Sequence, residues 1–214
     1  MWDTYIFDLD GTLLNTLDDL WASVNYALAQ NHYPERSKAE IRSFLGNGAM
    51  VLIRKSLPAG TSEEVVEQVF STFRGYYVVH AMDTTCPYEG VVAMLQRLKA
   101  SGKKIAIVSN KPDAAVQELY DCFFKDVVDI AIGERPEVRR KPAPDMVLKA
   151  MELLGSEPST SVYIGDSEVD MSTAKNSGLP CISVSWGFRD RDFLIAKGAD
   201  RLIDSPDEIF AVTV

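Results

Sequence analysis

Five short apolar runs, Tyr5–Phe7, Ile105–Val108, Val127–Ile130, Val162–Ile164 and Cys181–Val184, each give way to a polar or acidic cluster. Runs this short and this uniformly apolar suit the strands of a parallel sheet covered on both faces, since a sheet with one wet face would alternate. Helical patterns lie between them at Gly90–Ala100, Asp113–Phe123, Pro144–Leu154 and Val169–Ser177. Strand alternating with helix predicts βαβ units with right-handed crossovers, and so a doubly wound, Rossmann-like α/β core.

The first strand does not lead directly to the second. The stretch from Leu17 to Thr84 offers no convincing strand and reads as four helices, Leu17–Gln30, Ser37–Leu45, Ala49–Leu57 and Ser62–His80. Pro34, Gly46, Gly48 and Pro58-Ala59-Gly60 punctuate them, and Ser37 with Glu40 has the spacing of a capping box, with Ser62 a cap for the fourth. The expected organisation is therefore residues 1–16 and 85–214 as the α/β core, with an all-helical cap domain, residues 17–84, inserted after the first strand.

A chain of 214 residues with 46% hydrophobic and 25% charged residues has the composition of a soluble globular protein. Its net charge of −9 argues against a nucleic-acid partner, which calls for a basic face. Cys86, Cys122 and Cys181 are odd in number and lack CxxC spacing, so they predict small core residues in a reducing compartment, not a disulfide framework or zinc site. The opening MWDTYIFDLDGT has no basic region followed by an apolar stretch, and no apolar run approaches the roughly 20 residues of a membrane span. The expectation is a cytoplasmic protein without a membrane partner.

Chemistry gathers where the strands end, the edge at which open α/β sheets bind ligands. Asp8 and Asp10, within Phe7-Asp8-Leu9-Asp10-Gly11-Thr12, end the first strand. Two like charges so close favour a cation between them, although a lone DxD is commonly a solvated acidic turn. Ser109 and Asn110 end the second strand beside a helix N-terminus, which is an anion site or simply a cap. Lys141 follows the third strand in a basic loop that Pro142 and Pro144 restrain. Asp166 and Asp170 end the fourth, one helical turn apart if a helix begins near Ser167, and carboxylate oxygens are what Mg²⁺ asks for. Asp, Ser, Lys and Asp at four successive strand ends converge on one crevice in this architecture.

With these four motifs, DxDGT, Ser-Asn, Lys and GDxxxD, in this order along nearly the whole chain, the sequence resembles the haloacid dehalogenase-like hydrolases. Within them it resembles the phosphoglycolate phosphatase-like branch, on the helical insert and its Leu45-Gly46-Asn47-Gly48-Ala49 segment. The resemblance implies Asp8 as nucleophile and Asp10 as the acid that protonates the leaving alcohol and later activates water. It implies Mg²⁺ held by the Asp8 carboxylate, the Asp10 carbonyl and Asp166, with Ser109, Asn110 and Lys141 on the phosphoryl oxygens. Asp170 and Thr12 support these groups from behind, and Gly46, Asn47 and Gly48 form a substrate-reading loop of the cap. The implied partner is a small phosphorylated metabolite, with 2-phosphoglycolate favoured, acted on by a monomer or homodimer. A sugar-phosphate mutase or pyrophosphatase of the same branch shares the four motifs and stays open. A non-catalytic phospho-aspartate signalling module fits less well, because its acid pair precedes a phospho-acceptor on a later strand.

Overall fold

A computed structural model describes residues 2–212; residues 1, 213 and 214, assigned above to the core, lie outside the described residues. In chain order its elements are β1 (Thr4–Phe7), β2 (Leu14–Asn15), α1 (Leu17–Gln30), α2 (Lys38–Phe44), α3 (Ala49–Ser56), α4 (Glu63–His80), β3 (Cys86–Pro87), α5 (Val91–Ala100), β4 (Lys104–Pro112) and α6 (Asp113–Phe123). The chain continues through β5 (Ile130–Glu134), α7 (Asp145–Leu154), β6 (Ser161–Gly165), α8 (Glu168–Asn176), β7 (Cys181–Val184), α9 (Arg191–Ala196) and β8 (Leu202–Ile203).

Six strands form one parallel sheet in the order β5-β4-β1-β6-β7-β8. Tyr5 on the central β1 lies opposite Ile105 of β4 and Val162 of β6. The pleat sends Tyr5, Phe7, Ile105, Ile107, Val162 and Ile164 to one face, where they pack with Val91, Leu95 and Leu98 of α5 and Val116 of α6. Ile6, Ala106, Val108 and Tyr163 go to the other, against Met146, Val147 and Ala150 of α7 and Ala174 of α8. Both faces are buried, which is why β1 has no polar alternation to show in the sequence. Truncating a side chain such as Met146 to Ala would cost about 2–5 kcal/mol in lost contacts and cavity. Because the connections run from β1 to one neighbour and later return to the other, the sheet has its topological switch point between β1 and β6.

The described structure divides into two compact units, Asn15–Cys86 and the remainder. In the helical unit α1 packs on α4 and α3 on α4, with Val24, Ala27, Leu28, Val69 and Phe73 buried. Ser37 closes the capping box on α2, its hydroxyl accepting from the Glu40 N–H while Glu40 accepts from the Ser37 N–H. Ser62 precedes α4 but makes no side-chain cap bond, contrary to the sequence reading.

Two further expectations need correction. The third core strand is Ile130–Glu134, not Val127–Ile130. Val127 and Val128 donate their N–H groups to Phe124 O in a turn, and Asp129 starts the ladder by donating to Ile105 O. The apolar run thus marks a buried turn plus the strand's first residue. Among the cysteines, Cys86 and Cys122 are exposed and so are not core residues, whereas Cys181 is partly buried and packs against the core. On α6 the buried positions are Val116 and Leu119, which leaves Cys122 facing solvent.

Candidate active site

β1 ends at Phe7, and the Asp8 N–H still donates to Ile164 O of β6 at 2.9 Å, which fixes Asp8 at the switch point. The chain then turns back on itself: Leu13 and Leu14 donate to Leu9 O, and Gly11 donates to Leu14 O. Gly11 takes φ +86°, and a Cβ there would lie 2.5 Å from Asp166 Oδ2, so neither backbone nor space admits another residue. The turn separates the two acids. Asp8 Oδ1 receives Lys141 Nζ at 2.8 Å, whereas Asp10 receives Lys111 Nζ at 3.0 and 3.2 Å.

β4 carries a register shift between Val108 and Pro112, and Ser109, Asn110 and Lys111 fall within it, all buried. Ser109 Oγ accepts the Lys111 N–H at 3.2 Å. The Asn110 side chain is engaged with the Lys141 main chain, accepting its N–H at 2.7 Å and donating to its carbonyl at 3.1 Å. Asn110 therefore positions Lys141 through its side chain.

Lys141 is 3% exposed, and its ammonium bridges Asp8 and Asp170 at 2.8 Å each while donating to Tyr163 Oη at 3.1 Å. Burial disfavours the ammonium, but Asp170 and Asp8 outweigh it and hold Lys141 charged. Asp170 caps α8, accepting the Ser167 N–H and O–H on Oδ2 while Lys141 and Tyr163 occupy Oδ1. All its lone pairs have partners, so it orients Lys141. Asp166 accepts the Phe188 N–H at 2.6 Å and lies 3.5 Å from the Thr12 hydroxyl.

Burial pushes the Asp8 carboxyl up; Lys141 opposes this, and Asp170 and Asp10 reinforce it, giving about 7. Burial, with Asp170 and Asp8 beside it, holds Asp166 well above the usual carboxylate range. Four carboxylates, Asp8, Asp10, Asp166 and Asp170, face two ammoniums, Lys111 and Lys141, leaving two unbalanced negative charges when all are ionised. Oxygens of Asp8, Asp166 and Asp170 come within 4.8 Å of one another. A hard divalent cation fits this donor set, and Asp8 and Asp166, held by fewer hydrogen bonds than Asp170, are the carboxylates to hold it.

A family model described as haloacid dehalogenase-like hydrolase matches residues 5–184. The chain belongs to this family. Phosphoglycolate phosphatase 1 of Pseudomonas aeruginosa is 34% identical to this hydrolase, over 94% of this chain and 75% of its own. Phosphoglycolate phosphatase of Cereibacter sphaeroides is 35% identical, over 86% of this chain and 85% of its own. A crystal structure from Lactobacillus delbrueckii subsp. bulgaricus matches with a TM-score of 0.94 at 35% identity, covering 97% of this chain and 96% of that one.

The core of the hydrolase thus brings Asp8, Asp10, Thr12, Ser109, Asn110, Lys141, Asp166 and Asp170 to one sheet edge. Gly46, Asn47 and Gly48 belong to the helical unit, where both glycines have positive φ, 107° and 83°, and Gly48 precedes the first turn of α3. The sequence reading missed Lys111 and Tyr163. A lysine directly after Ser109-Asn110 at a strand end, and a hydroxyl inside an otherwise aliphatic strand, were the signals available. Among the described residues no helix is long and apolar enough to cross a membrane.

Proposed function

We propose that this hydrolase is a phosphatase that cleaves a small phosphate monoester, 2-phosphoglycolate, through an aspartyl phosphate on Asp8. The observation that carries the reading is the sorting of the two acids: Asp8 is paired with Lys141, and Asp10 with Lys111. An Asp8 oxygen attacks phosphorus, the bond from phosphorus to the ester oxygen breaks, and Asp10 gives that oxygen its proton. Water then attacks phosphorus, Asp10 takes up its proton, and phosphate and the Asp8 carboxylate are released. Lys141 balances the charge of the phosphoryl oxygens, which would otherwise repel an incoming carboxylate, and the Ser109 hydroxyl donates a hydrogen bond to them.

Mg²⁺, held by the Asp8 carboxylate, the Asp10 carbonyl and Asp166, would neutralise the phosphoryl charge and steady the attacking oxygen. The relatives named phosphoglycolate phosphatase support the choice of substrate. The reading is tested by phosphate release from 2-phosphoglycolate with Mg²⁺, with excess chelator, and by Asp8→Asn. Release is expected only with metal and native Asp8. Activity of Asp8→Asn above about a hundredth of the native rate would remove Asp8 from the nucleophile's role.

A further inference from the structure

We propose that Lys111 reads the acid group of the substrate, so that the site selects phosphate esters carrying a carboxylate one carbon from the ester oxygen. Lys111 lies in the irregular stretch of β4, its side chain only 5% exposed, and lysines this buried are rare unless paired. Its anion in this structure is Asp10, which is four times as exposed, at 20%. The phosphoryl end of the site has its own cation in Lys141, tied to Asp8 and Asp170. Lys111 therefore brings a second positive charge to the carboxylate that, on the reading proposed above, serves the leaving group.

A leaving oxygen within hydrogen-bond reach of Asp10 places the next atoms of the substrate beside the ammonium of Lys111, 3.0 Å from Asp10 Oδ1. In 2-phosphoglycolate a single methylene separates ester oxygen from carboxylate, so one molecule spans both groups. Its carboxylate takes the place of Asp10 as counter-ion to Lys111 and leaves Asp10 to the ester oxygen. An ester without an acid group offers Lys111 nothing to exchange.

Calorimetry on the Asp8→Asn chain with Mg²⁺, titrated with 2-phosphoglycolate and with ethyl phosphate, tests this without turnover. The carboxylate is expected to tighten binding roughly tenfold to hundredfold, as a charge-assisted contact does. Adding Lys111→Met should erase that gap, weakening 2-phosphoglycolate by more than any loss that the unpaired Asp10 imposes on ethyl phosphate. Lys111→Gln, which keeps a polar head for Asp10, should do the same and guards against a folding failure. The proposal is overturned if the gap is absent in the Asp8→Asn chain, if it survives loss of the ammonium, or if both esters weaken equally. Phosphate release from ethyl phosphate by the native chain with Mg²⁺ tests the phosphatase reading separately, since that ester has no carboxylate for Lys111 to read.

Discussion

On the proposed mechanism Asp8 must be an anion to attack phosphorus, yet burial, Asp170 and Asp10 raise its pKa to about 7 against the pull of Lys141. A group whose pKa is higher folded than unfolded binds more protons in the folded state between those two values. The metal-free chain should therefore lose stability as pH rises from the ordinary carboxylate range through about 7, and Asp166, also raised, acts in the same direction. A cation beside both carboxylates favours their ionised forms and opposes the loss. Thermal melts at about pH 5 and about pH 8, with and without Mg²⁺, should show the larger metal-induced rise at the higher pH. Equal rises at both would mean that the metal does not meet ionised Asp8 and Asp166.

Among the elements, α1 is tied to the segment leading into β3 by one side chain. Asp19, at the start of α1 and 4% exposed, accepts from the N–H and hydroxyl groups of both Thr84 and Thr85. Burial works against its charge, but these bonds outweigh it and hold the carboxyl below its usual range. Asp19→Ala is expected to cost roughly 2–4 kcal/mol in a denaturant titration, with Asp19→Asn in between, because four donors lose a charged acceptor. The native advantage should fade as pH falls below the ordinary carboxylate range, where Asp19 takes up its proton; a gap unchanged at low pH would contradict the role. Elements with a strong period were legible from the sequence, α1 and α6 to the residue. The weak ones were not: β8 has two residues, α9 buries only Leu194, and the run at Val127–Ile130 could not say where the turn ends and β5 begins.

Across the whole molecule, the site joins residues as distant in sequence as Asp8 and Asp170, and this convergence was legible because strand-and-helix alternation predicts where strand ends meet. What stayed illegible was the pairing inside the site. The glycine after Asp10 is enough to split the directions of the two acids, but nothing in the spacing says that they go to different lysines or that the Asn110 side chain holds the Lys141 backbone. Lys111 passed unnoticed because a lysine beside a strand end is usually solvated, and only the tertiary fold buries this one. On the proposed mechanism the phosphoryl group passes through Asp8. Asp10→Asn removes the acid of the first step as well as the base of the second, each typically contributing about 10²- to 10⁴-fold, so the phospho-enzyme should accumulate from an ester whose leaving group needs no proton, such as p-nitrophenyl phosphate. The most direct measurement is mass spectrometry of that variant after acid quenching from p-nitrophenyl phosphate and Mg²⁺. One phosphoryl group, labile to hydroxylamine, is expected on the peptide containing Asp8. Phosphate release with that peptide unmodified throughout, or with the label on another residue, would contradict the mechanism.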